Sequence, residues 1–236
     1  GTFVRERLLD AIAARVGISP IEVRRRNMIP ASAIPFARPL DALEVDVVLE
    51  SGDYAGLLDK ALAEFGWDRL QADLAARRAA GEAVGAGLGF FVEKSGLGPT
   101  DKVRVEADAR GRISVITGAS NLGQGVVTAM AQICAGTLGV GYAGIEVTTG
   151  RTDRIDEGYG SHASRTTVMT GEATRQATVA LRGKLIALAA EKLQADVAAI
   201  EIEDGIARHA ETGASITIAD IVRANGDDIV SAEGRY

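Results

Sequence analysis

Two stretches of the chain bring together residue types that could hold an anionic or heterocyclic ligand. In "NLGQGVVTAMAQ", residues 121–132, Gly123, Gln124 and Gly125 stand directly ahead of a run with helical spacing. Glycine lets the backbone turn tightly, and a helix start presents unpaired N–H groups with partial positive charge, so the pattern suits an anion. Gln124 adds an amide that can both donate and accept toward a planar heterocycle. The same pattern also serves as an ordinary helix entry. It is not a nicotinamide-type dinucleotide fingerprint, because Thr128 takes the place of the third glycine, and no lysine follows to make a P-loop. The second stretch, "GRTDRIDEGYGSHASRTTVMTGEA", is rich in Gly, Ser, Thr and Arg and runs into a long helix. Such a composition often marks a solvated loop. Here, however, "SRTT" falls immediately before the helix, where hydroxyls and a guanidinium could meet an anion at the helix mouth.

The elements that must position these stretches are legible from periodicity. Residues 4–16 repeat apolar side chains at helical intervals and end at Gly17, and Ser19 with Pro20 starts a short second helix. Residues 29–50 hold three of the five prolines and read as an extended linker, followed by two helices that break near Gly66 and Trp67. From Gly85 the period changes. Val103, Val105 and Ala107, then Ile113, Val115 and Thr117, alternate inward on a hairpin that turns at "DARG". Val126, Met130, Ile133, Cys134 and Leu138 then mark one face of a helix, and "GIEVTTG" returns as a strand. The longest helix is expected over 168–193, with Gly171, Ala173 and Ala177 allowing close packing. "IEIEDGIARH" gives a hairpin turning at Asp204 and Gly205, and "SITIADIVRAN" a capped short helix. The expected fold class is α+β: a helical segment over 1–82, including the 29–50 linker, then a mixed strand and helix domain over 83–236.

The composition, 47% hydrophobic and 25% charged with a formal net charge of −6, is that of an ordinary globular domain. It argues against a nucleic-acid partner, and no apolar run reaches the length of a membrane span. One cysteine permits no internal disulfide, and two histidines without cysteine partners give no zinc spacing, which fits a reducing, cytoplasmic setting. His162 and His209 read as solvated or structural, Glu93 and Lys94 as a strand-end pair, and Cys134 as an inert core thiol. "RRRN" at 24–27 reads as a source of ion pairs. Asp153, Asp156 and Glu157 lack calcium-loop spacing. The missing initiator Met and the end at "AEGRY" suggest a piece of a longer polypeptide.

The order "GxxxLGQGVVTxxAQxxAxxLG", "IEVTTGRTD", "GYGSHASRTTxxxGEA" resembles the large, molybdopterin-binding subunit of the xanthine dehydrogenase, aldehyde oxidase and aerobic carbon monoxide dehydrogenase superfamily. "ERLLDAIAARVGISPIEVRRRNMIP" is similar to that family's segment with a "DPxxxRxxN" stretch, with Ser19 in place of the usual Asp. The resemblance implies that residues 1–82 close a preceding molybdopterin-binding domain and that 83–236 open a second one. It further implies that Gly123, Gln124 and Gly125 face the pterin and its phosphates, while Ala163, Ser164, Arg165, Thr166 and Thr167 line the cofactor's other side. The cofactor would be molybdopterin cytosine dinucleotide with molybdenum. The partners would be an Fe–S subunit, an FAD subunit and the remainder of the large subunit, in a dimer of heterotrimers. The implied activity is oxidative hydroxylation of an aldehyde or N-heterocycle, or oxidation of CO. No catalytic residue or metal ligand is carried over onto this chain, so the chain alone is expected to be inactive. The other reading is a non-catalytic nucleotide- or partner-binding module that keeps the scaffold.

Overall fold

A computed structural model describes residues 1–38, 47–226 and 228–236, which divide into two compact units, Gly1–Val92 and Glu93–Tyr236. Helices and mixed sheets make the fold α+β.

In the first unit, α1 (Thr2–Val16) ends where Gly17 adopts φ 74°, and α2 (Pro20–Asn27) begins with the Ser19 hydroxyl accepting from the Glu22 amide at 3.0 Å. A buried guanidinium joins the two helices. Arg24, 4% exposed, donates to Glu6 at 2.9 Å and Asp10 at 3.0 Å and to the carbonyls of Pro20, Glu6 and Leu88. Arg25 pairs with Asp59, and Arg26 with Glu22, so the arginine run is absorbed by intramolecular ion pairs. The 29–50 stretch does more than connect: β1 (Phe36–Arg38) pairs antiparallel with β2 (Val47–Leu49), and residues 39–46 of the expected linker lie outside the described residues. Then α3 (Tyr54–Phe65) starts at the Asp53 cap and stops at Gly66, φ 63°, from which α4 (Trp67–Ala79) departs.

The second unit is built on a four-stranded sheet of spatial order Ile145–Thr149, Ile113–Thr117, Lys102–Asp108, Ile229–Arg235. β3 (Lys102–Asp108) and β4 (Ile113–Thr117) form the expected hairpin, and Val103, Val105, Ala107, Ile113, Val115 and Thr117 are all buried. β4 leads through α5 (Val126–Leu138) into β5 (Ile145–Thr149), which lies parallel to β4 with Thr117 opposite Thr149. A π-helical turn, Thr166–Thr170, feeds α6 (Gly171–Leu193). α5 and α6 bring Met130, Cys134, Leu138, Ala177, Leu181 and Leu185 into the core with the inward side chains of the sheet. A smaller sheet, β6 (Ile200–Glu203), β7 (Ile206–His209) and β8 (Ser215–Thr217), and helix α7 (Ile218–Ala224) complete the core. Two elements differ from expectation. Residues 215–217 are a strand, and the helix starts only after Thr217, whose hydroxyl accepts from the Asp220 amide. β9 (Ile229–Arg235) has no counterpart in the periodicity analysis, yet it pairs with β3 along seven residues. Glu93 and Lys94, expected at a strand end, lie in a stretch without regular structure.

Close packing explains one glycine in particular. A β-carbon on Gly234 would stand 2.2 Å from the Ala173 carbonyl oxygen and 2.5 Å from the Ala177 nitrogen, so α6 crosses β9 at backbone contact. Gly234→Ala is therefore expected to destabilise the chain by about 1–3 kcal/mol, read as a lower urea midpoint with unchanged slope. Burial also pushes the Cys134 thiol up to about 11 despite the Thr178 hydroxyl beside it. At pH 8 a maleimide should label Cys134 only at the rate of unfolding, and immediate stoichiometric labelling would contradict its place in the core.

Candidate functional site

The two stretches singled out by their chemistry leave the carboxyl ends of neighbouring parallel strands. β4 ends at Thr117 and β5 at Thr149, directly opposite one another, so the following loops, 118–125 and 150–165, start side by side. This is where open sheets with parallel strands hold ligands. A pair of glycines brings the loops closer. A β-carbon on Gly118 would lie 2.3 Å from the Glu157 carbonyl oxygen and the Gly158 α-carbon, and one on Gly158 would lie 2.5 Å from the Gly118 α-carbon.

The first loop is tied by its own polar groups. Gln124 accepts from the Leu122 amide at 2.7 Å and donates to the Ser120 carbonyl at 2.9 Å, while Asn121 accepts from the Gly123 amide at 3.1 Å. Gln124 thus closes the turn rather than standing free for a heterocycle. Gly123, φ 91°, and Gly125, φ 82°, adopt backbone angles that L side chains rarely reach, and a β-carbon on either would meet nothing within 4 Å. Their role in this chain is conformational. Gly125 is the N-cap of α5 and offers no side-chain cap, so the first amides of the helix keep their partial positive charge.

The second loop is bound to the first, because the Ser161 hydroxyl donates to the same Ser120 carbonyl at 2.6 Å. It then makes an unusual turn: Ala163 and Ser164 are consecutive left-handed residues, φ 49° and 50°. Each costs of order 1–2 kcal/mol and persists only where its surroundings fix it. The surroundings are visible. The Gly96 amide donates to the Ser164 carbonyl at 3.3 Å, the Arg165 amide to the His162 carbonyl at 3.1 Å, and the Ser164 hydroxyl reaches Glu93 at 3.4 Å. Next comes Arg165, wholly buried. Its guanidinium pairs with Asp101 at 3.0 Å, donates to the Leu97 carbonyl at 3.0 Å and to the Pro99 carbonyl, and stands 5.6 Å from the centre of the Tyr159 ring. Asp101 also accepts from the Thr170 hydroxyl at 2.6 Å, and its backbone pairs with that of Tyr236. Within the chain, then, the Arg165 guanidinium is engaged by two carbonyls and by a buried carboxylate that balances its charge, and it fixes the turn that lines the cleft.

Together the loops wall a cleft of about 360 Å³ lined by Leu122, Gln124 and residues 161–167. Ala163, Ser164, Arg165, Thr166 and Thr167 are thus brought together with Gln124, whereas Gly123 and Gly125 shape the turn without lining the cleft. Among the described residues, the side chains of His162, Thr166 and Thr167 have no partner within the chain. No carboxylate lines the cleft, and no cluster of metal-ligating side chains occurs among the described residues. Asp153, Asp156 and Glu157 are instead paired with Arg151, Lys102 and Arg235. His209 accepts from the amides of Glu211 and Thr212 and caps its own turn. Sequence reasoning did not find Asp101, Ser161, Leu122 or the tie to Glu93. Only Ser161 carried a signal, as a small hydroxyl inside the loop.

Removing Asp101 tests whether the site loop depends on it. Asp101→Ala leaves Arg165 buried and uncompensated and should cost about 3–5 kcal/mol in urea unfolding. A loss below about 1 kcal/mol would show that the pair does not hold the turn.

The geometry can be set beside known proteins. Residues 60–236 match the family model described as molybdopterin cofactor-binding domain. The gamma subunit of the 6-hydroxypseudooxynicotine dehydrogenase complex of Paenarthrobacter nicotinovorans is 36% identical over 94% of this chain and 28% of its own length. The nicotine 6-hydroxylase large subunit of the same organism is 32% identical over 95% of this chain and 28% of its own length. Among solved structures, quinoline 2-oxidoreductase from Pseudomonas putida 86 aligns over the whole chain and 32% of its own, with TM-score 0.80 and 28% identity. The CO dehydrogenase of Oligotropha carboxidovorans aligns over the same shares with TM-score 0.77 and 26% identity. The chain spans about a third or less of the length of these relatives. With the motif order, the family model and the architecture in agreement, the chain belongs to the molybdopterin cofactor-binding domain family.

Proposed function

We propose that this chain is part of the molybdopterin-binding large subunit of a molybdenum hydroxylase, and that its cleft holds one side of the cofactor. The observation that carries this reading is the convergence of the two loops at the ends of parallel strands, around a cleft without carboxylates. The fit of the group to the residues can be judged directly. A pterin nucleotide is a planar heterocycle joined to phosphates, and the cleft lies within the volume range of small-molecule sites, roughly 300–1,000 Å³. The Thr166 and Thr167 hydroxyls are free to donate to phosphate oxygens, and the uncapped start of α5 adds oriented amides beside Gln124. These groups fit.

Each residue has a share in the proposed binding. Gly123 and Gly125 give the turn its shape, and Gln124 locks that shape and presents one edge of its amide. Ala163 and Ser164 turn the second loop toward the first, Arg165 anchors that turn from inside, and Thr166 and Thr167 bind. When bound, the cofactor supplies the two-electron oxidation of the substrate, and nothing in this chain's cleft is assigned a proton-transfer role. The cytosine dinucleotide form is proposed because a phosphate-bearing extension would use both helix mouths. The relatives named for nicotine and quinoline favour an N-heterocycle over an aldehyde or CO as substrate. Electrons would leave through Fe–S and FAD subunits in a dimer of heterotrimers, in accord with relatives described as subunits of complexes. Among the described residues, no helix is long and apolar enough to cross a membrane, and a cytoplasmic setting is proposed.

Full-length protein from a molybdenum-replete host should contain about one molybdenum and one molybdopterin cytosine dinucleotide per large subunit. Gly123→Val, which cannot hold φ 91°, should weaken retention of both about tenfold, equivalent to ~1.4 kcal/mol. Mass analysis of released nucleotide reads the outcome, and a folded, metal-replete protein without any pterin would overturn the reading.

A further inference from the structure

The sheet has a second face, away from α5 and α6, and one segment of the long loop lies along it. β3 presents Lys102, Arg104 and Glu106 there, and β9 presents Glu233 and Arg235, alternating with the buried side chains of each strand. Three successive charged residues of the loop meet this face. Arg154 donates to Glu106 at 2.8 Å, Asp156 lies 3.2 Å from Lys102, and Glu157 pairs with Arg235. Between them Ile155 is buried, as is Ile116 on the same face of β4. We propose that residues 154–157 are a positioning strap, whose ion pairs across β3 and β9 set the geometry of the cleft loop that follows.

The chain of contacts runs without a gap from strap to cleft. Glu157 and Gly158 are the groups that touch Gly118 at backbone distance, so where the strap lies decides where the second loop meets the exit of β4. Two residues after Gly160, whose β-carbon position is 3.6 Å from the Ser120 hydroxyl, the chain reaches His162, and Ser161 between them bonds to Ser120. The same Ser120 carbonyl holds Gln124, so both walls of the cleft share one reference point. A lone exposed ion pair would do little. Here the pairs act in series, and one partner of each is partly withdrawn from solvent, with Glu106 12%, Lys102 18% and Glu157 27% exposed; Glu106 also lies 2.9 Å from the Arg104 Nε, and Lys102 reaches Glu233 as well as Asp156 at 3.2 Å. Screening by salt is weaker for such groups than for free surface pairs.

The strap itself is read from this chain alone, and only its consequence for cofactor affinity rests on the function proposed above. The test therefore uses the chain without cofactor, so that either idea can fail while the other stands. Glu157→Arg, Arg235→Glu and the double exchange are compared by residue-resolved amide exchange of Arg165 and Met169, whose N–H groups donate to the His162 and Arg165 carbonyls within the site turn. Each single variant should speed exchange there about three- to tenfold, while Val105 and Val115 in the β3–β4 ladder keep their protection. The double variant should return the rates to within about twofold of the parent, because the pair is restored with reversed sign. Unchanged rates in both single variants, or a double variant as loose as either, would overturn the strap. Should a single variant not fold, Asp156→Asn, at a side chain 74% exposed, gives the same reading through Lys102: faster exchange supports the strap and unchanged exchange refutes it.

Discussion

The second unit depends on one buried charge and its neutralisation. Arg165 has no exposed surface, and a guanidinium taken wholly out of water is tolerated only with a carboxylate and further acceptors around it. Asp101 supplies the carboxylate, and the carbonyls of Leu97 and Pro99 take the remaining donors. The arrangement fixes several elements at once. Through its backbone Asp101 extends the pairing of β3 and β9 to Tyr236, and through its second carboxylate oxygen it holds Thr170 at the end of the π-helical turn. The left-handed turn at Ala163 and Ser164 thus has a fixed residue immediately after it. The first unit repeats the device with Arg24 between Glu6 and Asp10.

With the turn anchored, the parallel pair of strands does the rest. The crossover from β4 through α5 to the parallel strand β5 places the exits of both strands at one edge, and the contact between Gly118 and Gly158 leaves no room for a side chain between the two loops. The Ser161 bond that joins the two loops and the Gln124 bond that closes the first both end on the Ser120 carbonyl. It follows that the cleft is shaped by main-chain geometry and by polar groups already used within the chain, and only then by side chains facing its interior.

Much of this was legible in the sequence because it is local. Alternation at 103–107 and 113–117, the helical face from Val126 to Leu138, Ser19 with Pro20, and the glycine turn all express themselves within a few residues. The rest was not, for two physical reasons. β9 carries Val230, Ala232 and Gly234 inward, and two of these are too small to announce a strand; at Gly234 a side chain is excluded because α6 passes at backbone distance. The partners of Gln124 and Arg165 also differ in kind. The amide of Gln124 bonds two and four residues away, which its loop conformation alone decides, whereas Asp101 lies 64 residues from Arg165 and becomes its neighbour only through the sheet. A residue type that suggests ligand chemistry can thus also carry structural bonds that its local sequence does not show.

For the function proposed above, this bears on how the cleft would recognise a ligand. Were the Arg165 charge free, any anion of suitable size would be drawn to it, and affinity would follow net charge. With Asp101 cancelling that charge, the polar groups left lining the cleft are hydroxyls, an imidazole and the Gln124 amide. Such donors act over short distances and in fixed directions, so they reward a ligand whose acceptors match their positions and do little for one that merely carries charge. The cost of the left-handed turn and of burying Arg165 is then intelligible, because a wall that selects by direction needs its donors held still.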